Sequence, residues 1–314
     1  MGNDNEQNVS ADGMREDWDA RARQNPYYFA ASGREDWTPA EFFESGRKSV
    51  QELIVSDLDQ VTQGRDPKQL RVLELGCGPG RMTQALAELF GEVFALDVSG
   101  EMLACARTAV RDAPNVVLCR NNGRDLSMLA SGRFDFVFSF IVFQHIPSVD
   151  VIESYVTEVS RVLKPGGVFK FQVQGAWQPG RRPRDSWQSA SVSAPAVLDW
   201  LDPYGFELLG ATGVGTQYFW IWLRKPNPSD PSAAETRMPL PGRVSRQQRL
   251  LVNQVEMLRA ELESRTSWAE RLDLELEAMR VYLRRIYVSI AYRVGRRLKL
   301  APEPFEYDEN NPGS

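Results

Sequence analysis

Three glycines at alternate positions, Gly76, Gly78 and Gly80, form the stretch of this chain best suited to binding a ligand. They follow residues 72–75, whose composition is typical of a short buried parallel strand. An amphipathic pattern begins at Met82, so the glycines fill a turn between a strand and a helix. Such a turn exposes backbone N–H groups at a helix N-terminus, and glycines let a ligand come close to them. The alternative is an ordinary tight turn that binds nothing.

The residues around this turn narrow the choice of ligand. The turn lacks the Gly-Lys-Ser/Thr ending of a phosphate-binding loop, and its third glycine is out of place for a dinucleotide fingerprint. Glu74 puts a carboxylate at the strand end, which would repel a pyrophosphate and attract an ammonium group. Asp97 is spaced to accept hydrogen bonds from both ribose hydroxyls, although it is also placed to cap the next helix. S-adenosylmethionine, which carries an ammonium group and a ribose but no phosphate, fits this description.

The spacing Glu-x-Gly-x-Gly-x-Gly over residues 74–80 resembles the first motif of the class I S-adenosylmethionine-dependent methyltransferases. The resemblance covers roughly residues 40–225 and implies a Rossmann-like α/β fold with a seven-stranded sheet. After the third strand the family usually has Gly-Asp-Ala, and the aspartate accepts a hydrogen bond from the adenine amino group. This chain has Asn122 at the position of that aspartate, and Asp125 is a competing candidate for the same role. The expected cofactor contacts are Glu74, Gly76, Cys77, Gly78, Gly80, Arg81, Asp97 (ribose), Val98 and Met102 (adenine), Asn122, Gly123 and Ser139.

The most apolar run, Phe134 to Phe143, is predicted to be the central fourth strand, buried on both faces. Open parallel sheets bind ligands at the carboxyl ends of their strands, so residues 139–145 should line the active site. His145, the only histidine of the chain, is a candidate general base, and a structural role is equally open. The family's nitrogen methyltransferases carry a Pro-Pro-Tyr/Phe motif here, and its absence weakens a nucleic-acid base or glutamine as acceptor. The candidate acceptor-binding residues are Tyr28, Phe140, Gln144, Trp177 and Arg181.

The helices and strands that must position these residues follow from periodicity and stop signals. A helix is expected from Val50 to Val61, and a second from Ile152 to Leu163, which ends at Lys164-Pro-Gly-Gly167. The segment 158–167 also closely resembles the family's signature after its fourth strand. The other predicted elements are strands Glu92–Asp97, Val116–Cys119 and Val168–Val173, helix Ala196–Leu201, and a terminal antiparallel pair, Phe206–Leu209 and Gln217–Leu223.

Composition changes along the chain and predicts several segments. An aromatic-rich stretch before the first strand is predicted to be a lid over the cofactor, with plain packing on the sheet as the alternative. A Pro-rich linker precedes apolar residues in a heptad pattern, which predicts a coiled coil, or else one amphipathic helix folded onto the catalytic domain. The predicted segments are 1–13 (disordered), 14–48 (lid), 49–225 (methyltransferase domain), 226–243 (linker), 244–300 (coiled coil or amphipathic helix) and 301–314 (acidic disordered tail).

Composition and charge restrict the partners and the compartment. A net charge of −5 and a pI near 5.3 argue against nucleic acid as a partner. Three cysteines without metal-ligand spacing predict a reduced cytoplasmic protein with no metal site. The N-terminus has no secretory signal pattern, and no apolar run reaches the length of a membrane span. The heptads predict self-association, and the basic, aromatic end at 281–300 predicts peripheral contact with the inner membrane face.

The acceptor is the least determined part of the prediction. A loop at 175–193 combines tryptophans with arginines, which suits a sugar or an acidic group, or else forms a solvated basic loop. The segment 289–298 resembles tails of bacterial polysaccharide-assembly enzymes. These features favour a small-molecule or glycan acceptor, with a sugar hydroxyl in surface-polysaccharide or glycolipid biosynthesis as the specific hypothesis. The alternatives are a soluble metabolite as acceptor, or a coiled-coil scaffold whose methyltransferase fold is vestigial.

Overall fold

The computed structural model describes residues 11–175 and 190–229. The strands in these ranges are β1 (Arg71–Leu75), β2 (Glu92–Asp97), β3 (Val116–Arg120), β4 (Phe134–Ser139), β5 (Leu163–Val173), β6 (Glu207–Thr212) and β7 (Phe219–Arg224). The helices are α1 (Ala11–Gln24), α2 (Pro26–Ala30), α3 (Pro39–Leu53), α4 (Leu58–Thr62), α5 (Thr83–Leu89), α6 (Gly100–Ala109), α7 (Val149–Val162) and α8 (Ala194–Tyr204). The described strands form one seven-stranded sheet in the order β3-β2-β1-β4-β5-β7-β6, in which β7 runs opposite to the other strands. This is the predicted Rossmann-like arrangement.

The sheet is buried on both faces, which explains the near-continuous apolar character of its central strands. Every residue of β4 is buried, and the neighbouring residues of its centre enter different hydrophobic clusters. Leu73 and Val137 belong to one cluster, while Val72 and Phe136 belong to the other, and none of the four has exposed surface. Complete burial of such side chains contributes about 1.5–3 kcal/mol each, so the central strands form a rigid base for the site.

The strand order places the glycine turn where ligands bind in sheets of this kind. β1 lies between β2 and β4, so the order of the strands reverses at its carboxyl end and leaves a crevice there. The N–H groups of Gly76 and Cys77 both donate to the carbonyl of Leu96, at 2.7 and 2.9 Å, which ties the turn to β2. Gly76 has φ +73°, and a Cβ atom there would lie 2.2 Å from Val142 Cγ2, so a side chain is excluded at this position.

Strand β4 is shorter than the sequence predicts. It ends at Ser139 rather than at Phe143, because Ile141 adopts a left-handed conformation with φ +57°. The N–H of Ile141 donates to the side-chain oxygen of Gln172 at 3.2 Å, and a 3-10 turn at Phe143–His145 follows. The break therefore turns residues 141–145 out of the sheet at its ligand-binding edge.

The helix predicted from Val50 to Val61 is interrupted. α3 ends at Leu53, and a 3-10 turn at Val55–Asp57 separates it from α4. The buried ammonium of Lys170 on β5 explains the interruption, since it donates both to the carbonyl of Leu53 and to the Asp57 carboxylate at 3.0 Å. The cation thus satisfies a carbonyl at the end of α3 that has no partner within the helix.

Strand β5 begins earlier than expected. It starts at Leu163, directly after α7, so the Lys-Pro-Gly-Gly segment at 164–167 lies within the strand rather than before it. The pairing with β4 runs from Phe134 with Leu163 to Phe136 with Val168, so this segment forms a bulge in the ladder. The helices α7 and α8, which lie before and after β5, are longer than the sequence predicts. α7 begins at Val149 and α8 extends to Tyr204.

The N-terminal helices lie against the sheet-flanking helix α6. Ser99 caps α6 by accepting from the N–H of Met102 at 3.1 Å. Asp19 of α1 accepts from the Ser99 hydroxyl at 2.6 Å and from the N–H of Glu101 at 3.2 Å. A carboxylate at this end of α6 also interacts favourably with the positive end of the helix dipole. Arg23 of α1 adds an ion pair with Glu101 at 3.1 Å, so α1 is joined to α6 by charged contacts.

Much of the predicted C-terminal organisation lies outside the described residues. This applies to the coiled coil at 244–300, the tail at 301–314 and the linker at 226–243 beyond residue 229, as it does to the first ten residues. Most of the predicted acceptor loop at 175–193, including Trp177 and Arg181, lies in the undescribed range 176–189. Within the described ranges, no helix is both long and apolar enough to cross a membrane.

Candidate functional site

A cavity of roughly 1030 Å³, including its open mouth, lies at the carboxyl edge of the sheet. The glycine turn, the end of β2, the break after β4 and helix α1 all contribute to its lining. Ten residues predicted from the sequence line it: Glu74, Gly76, Cys77, Gly78, Arg81, Asp97, Val98, Met102, Phe140 and His145. The structure therefore brings together most of the predicted cofactor contacts and the single histidine.

Asp97, at the end of β2, joins two loops at the floor of the cavity. Its Oδ2 accepts from the N–H of Gly78 at 2.8 Å, and its Oδ1 accepts from the N–H of Ser99 at 2.9 Å. Burial raises the pKa of this carboxyl to about 6, although the hydrogen bonds from Ser99 and Gly78 oppose the increase. A carboxylate has about four acceptor positions, so each oxygen keeps capacity for a ribose hydroxyl.

Glu74 and Arg81 place opposite charges on the lining beside the glycine turn. Burial raises the pKa of Glu74 to about 7. Two contacts oppose this increase: the Thr83 hydroxyl donates to Glu74 Oε2 at 2.6 Å, and Arg81 brings a positive charge nearby. The Arg81 guanidinium donates to Ser49 Oγ of α3 at 3.0 Å, and burial lowers its pKa. A Cβ atom on Gly46 would lie 1.8 Å from the Arg81 carbonyl, so α3 packs directly on this residue. The pair is suited to the ammonium and carboxylate of an amino acid.

Asn121 is a cavity residue that the sequence prediction missed. Its N–H donates to the carbonyl of Asp97 at 3.1 Å, and its Nδ2 donates to the Tyr155 hydroxyl at 2.7 Å. Its Oδ1 is buried and has no hydrogen-bond partner within the described part of the chain. A buried acceptor without a partner is costly, so this oxygen at the cavity lining is suited to a ligand N–H.

The neighbouring residue Asn122, predicted to contact adenine, has a different environment. Its Oδ1 accepts from the N–H groups of Arg124 and Asp125, at 2.8 and 3.0 Å, and its side chain is exposed. The structure places neither Asn122 nor Gly123 at the cavity. β3 extends one residue further than predicted, to Arg120, so the position at the end of the strand falls on Asn121.

Four other predicted residues lie outside the lining. Gly80 packs against α6, where a Cβ atom would lie 3.4 Å from Ala106 Cα, and the Ser139 hydroxyl donates to the carbonyl of Leu75 at 3.1 Å. Tyr28 and Gln144 are also absent from the lining, although their neighbours Phe29 and His145 belong to it. The lining further includes Met14, Trp18 and Tyr155, which the sequence prediction did not single out. Trp18 and Phe29 fall within the predicted lid, so the aromatic-rich composition of that segment was the signal that could have identified them.

His145 lies on the 3-10 turn after β4 and is almost fully buried, with 6% of its surface exposed. Its ring meets the Trp18 ring edge-on, with centroids 5.2 Å apart. Its Nε2 lies 3.3 Å from Nε2 of Gln144. Among residues 11–175 and 190–229, no group of three or more His, Cys, Asp and Glu side chains is arranged to bind a metal ion.

Comparison with known proteins identifies the domain. Residues 73–171 match a family model described as a methyltransferase domain. The ubiquinone biosynthesis O-methyltransferase of Sinorhizobium fredii is 28% identical over 148 residues, which cover 45% of this chain and 58% of that protein. The protein of the same name from Cereibacter sphaeroides is 28% identical over 185 residues, which cover 55% of this chain and 70% of that protein. The chain thus spans little more than half the length of the first of these relatives.

A solved structure gives the same fold. Phosphoethanolamine N-methyltransferase 1 of Haemonchus contortus, in complex with phosphoethanolamine and S-adenosylhomocysteine, aligns with a TM-score of 0.50 and 16% identity. The alignment covers 70% of this chain and 50% of that chain, and at this identity it establishes the fold alone. The fold is that of the class I methyltransferases, whose cofactor is S-adenosylmethionine. The segment 73–171 is similar to the methyltransferase-domain family.

The cavity residues fit this cofactor at each of its polar parts. The Asp97 carboxylate suits the ribose, and the backbone of the glycine turn allows close approach. Glu74 and Arg81 match the charges of the methionine end. The buried Oδ1 of Asn121 suits an amino group such as that of adenine, with Val98 and Met102 also in the lining.

Proposed function

We propose that this chain is an S-adenosylmethionine-dependent methyltransferase that acts on an oxygen atom of a small organic acceptor. The observation that carries the proposal is the meeting of Glu74, the glycine turn and Asp97 in one cavity that also contains aromatic side chains. When bound, the cofactor would supply a methyl group that its sulfonium already makes electrophilic. The protein's own task is then to align the acceptor and to manage its proton.

The chain's residues divide these tasks. Asp97, Glu74 and Arg81 bind and orient the cofactor through its ribose and its methionine end. Phe140 and Trp18 contribute apolar surface that excludes water and offers flat faces to a planar acceptor. His145 at the lining is the candidate for the side chain that contacts the acceptor oxygen.

Two considerations support an oxygen acceptor on a planar organic molecule. The curated relatives are named for O-methylation in ubiquinone biosynthesis, although they share only part of this chain's length. The lining combines Trp18, Phe29, Phe140 and Phe143 with few charged groups beyond those assigned to the cofactor. A sugar hydroxyl in surface-polysaccharide or glycolipid biosynthesis is the second hypothesis. It rests on Trp177 and Arg181, which lie outside the described residues, and it stays a prediction.

The test combines cofactor binding with product analysis. Asp97→Ala should weaken S-adenosylmethionine binding by roughly 1.5–3 kcal/mol in calorimetry, because a charge-assisted acceptor is lost. The native chain, given the cofactor and panels of phenols, sugars and lipids, should produce phenols that are heavier by one methylene group in mass spectrometry. Unchanged affinity in the variant would contradict the cofactor site, and methylated sugars alone would favour the second hypothesis.

A further inference from the structure

Two glutamines connect the core of the sheet to the histidine at the cavity. Gln172 on β5 has no exposed surface, and its Nε2 lies 3.0 Å from Oε1 of Gln144. Gln144 in turn places its Nε2 3.3 Å from Nε2 of His145. The three side chains therefore form a continuous hydrogen-bonded row, here called the Gln172–Gln144–His145 chain.

The backbone fixes the orientation of the first amide. Gln172 Oε1 accepts from the N–H of Ile141 at 3.2 Å, while its Nε2 donates to the carbonyls of Gln217 and Val173 at 2.8 and 3.1 Å. Exchanging the oxygen and nitrogen of this amide would set an oxygen against two carbonyls and an NH₂ group against an N–H. Because a buried carbonyl only accepts and a backbone N–H only donates, this orientation of Gln172 is the one that fits the Ile141 N–H and the two carbonyls.

This orientation determines the next two groups. Nε2 of Gln172 shares its two hydrogens among the two carbonyls and Gln144, and an amide nitrogen does not accept. Gln144 must therefore turn its oxygen toward Gln172 and its NH₂ group toward His145. An amide NH₂ group donates and does not accept, so the ring nitrogen that it meets must carry a lone pair. In a neutral imidazole with Nε2 as the acceptor, the proton resides on Nδ1.

We propose that Gln172 is a positioning residue which, through Gln144, fixes His145 as the neutral tautomer protonated at Nδ1. In this tautomer the proton of the ring is on Nδ1. An acceptor oxygen that met the ring at Nδ1 would therefore find a hydrogen-bond donor and not a base. The strained left-handed conformation of Ile141, a β-branched residue at φ +57°, is part of this arrangement, since its N–H fixes the first amide.

The tautomer has a consequence for the acceptor, which rests on the proposed function. An oxygen that arrives ionised, as in a phenolate or catecholate, needs a donor to orient it and no base. An aliphatic hydroxyl stays protonated near neutral pH and needs a base before it attacks. The Gln172–Gln144–His145 chain therefore favours acidic phenol-type hydroxyls over sugar hydroxyls at this site.

Nitrogen NMR of the full-length chain tests the tautomer directly. His145 is the only histidine of the chain, so after ¹⁵N-histidine labelling its two ring nitrogens are the only labelled imidazole signals. We expect Nδ1 to show the shift and coupling of a protonated nitrogen and Nε2 those of an unprotonated one. The reverse pattern, or rapid exchange between the two, would overturn the proposal.

Two variants test the role of the glutamines. Gln172→Met keeps the side-chain length but frees Gln144 to turn, so a substantial population protonated at Nε2 should appear. Gln144→Glu sets a carboxylate against Nε2, so protonation should move to that nitrogen even if Gln172→Met fails to fold. The control is Gln63→Glu. The Gln63 amide donates to the carbonyl of Gly166 at 2.7 Å and does not line the cavity, so its loss should leave the ring signals of His145 unchanged. If Gln172→Met and Gln144→Glu both fold and both keep the wild-type ring signals, the positioning role is contradicted.

The measurement separates this inference from the proposed function. The NMR experiment uses the protein without cofactor or acceptor, so a failure to methylate phenols leaves the tautomer result standing. If the tautomer is confirmed, phenols should be methylated in preference to aliphatic alcohols matched in size. Equal rates for the two classes in that case would contradict the consequence for the acceptor.

Discussion

At the scale of single residues, two buried carboxyls dominate the electrostatics of the cavity. Burial raises the pKa of Glu74 to about 7 and that of Asp97 to about 6, because a charged carboxylate loses its hydration there. A bound ammonium or ribose hydroxyl would replace part of that hydration. The free protein thus carries an electrostatic cost at this site that a matching ligand offsets.

The pKa of Glu74 leads to a prediction on stability. The folded protein binds this proton more tightly than the unfolded chain, whose carboxyl has the ordinary value of 4.5. The free energy of unfolding should therefore fall as pH rises from about 4.5 to about 7, by up to roughly 3 kcal/mol from this group. Glu74→Gln, which can still accept from Thr83, should remove that part of the fall in urea unfolding measured across this range. An identical pH dependence in both proteins would contradict the raised pKa.

The two adjacent asparagines give a matched pair of variants. Asn121→Ala should weaken S-adenosylmethionine binding by about 1 kcal/mol, because it removes the acceptor that we assign to the adenine amino group. Asn122→Ala should leave the affinity unchanged, since that side chain bonds its own loop. Calorimetry on both variants decides between them, and the opposite order of effects would return adenine recognition to Asn122.

The residues of the cavity differ in how far the sequence could predict them. Glu74, Gly76, Gly78 and Asp97 follow from spacing, because the turn and the strand end fix their positions within a few bonds. The choice between Asn121 and Asn122 depended on where β3 ends, and a shift of one residue in a strand exchanges its faces. The orientation of Gln172 depended on long-range contacts with Ile141 and Gln217, which no local pattern encodes.

At the scale of elements, the contact between α1 and α6 decides how the cavity is covered. Burial raises the pKa of Asp19, but hydrogen bonds from the Ser99 hydroxyl and the Glu101 N–H outweigh it and lower the pKa overall. The stabilisation from this carboxylate is therefore present above its ordinary pKa and is lost as pH falls through the lowered value. Met14 and Trp18, on the same helix, line the cavity. Docking of α1 and ligand binding should thus be coupled.

Substitution of Asp19 tests this coupling. Asp19→Ala should increase amide hydrogen exchange in α1 and weaken S-adenosylmethionine binding several-fold, because the helix loses its bonds to the start of α6. Glu16→Gln removes a charge of the same sign from an exposed position of the same helix and serves as the control. Unchanged exchange in α1 after the Asp19 substitution would show that other contacts suffice to dock it.

Element types were predictable here, while several ends were not. Apolar runs such as Phe134–Phe143 identify a buried strand, but the residue at which it leaves the sheet depended on Ile141 and its bond to Gln172. The division of the predicted helix 50–61 depended on Lys170, more than a hundred residues away. Periodicity reports the side that a segment buries and carries no information on such distant partners.

At the scale of the whole molecule, the heptad pattern after the linker predicts self-association. The seam from residue 251 to 293 is interrupted by Arg265, so Arg265→Leu should raise the melting temperature and strengthen the association. Sedimentation of the full-length chain and of a version ending at Arg243 should show a larger assembly for the former. Equal sedimentation of both as monomers would contradict the coiled coil.

The same C-terminal region carries the membrane prediction. Its basic end could add about 1 kcal/mol per cation at an anionic surface. Flotation with anionic vesicles, comparing the full-length chain with a version ending at Glu277, should show binding for the former. Failure of both to float would leave the acceptor as a freely diffusing molecule.

The position of α1 has a consequence for which step limits the rate of turnover. We expect a cavity lined in part by Met14 and Trp18 to release its contents chiefly when that helix moves through the solvent. We expect escape of the spent cofactor, rather than the transfer itself, to set the turnover number at saturating substrate. Added sucrose or glycerol should then slow kcat in proportion to viscosity, and the Asp19 variant, whose helix opens more readily, should turn over faster while binding more weakly.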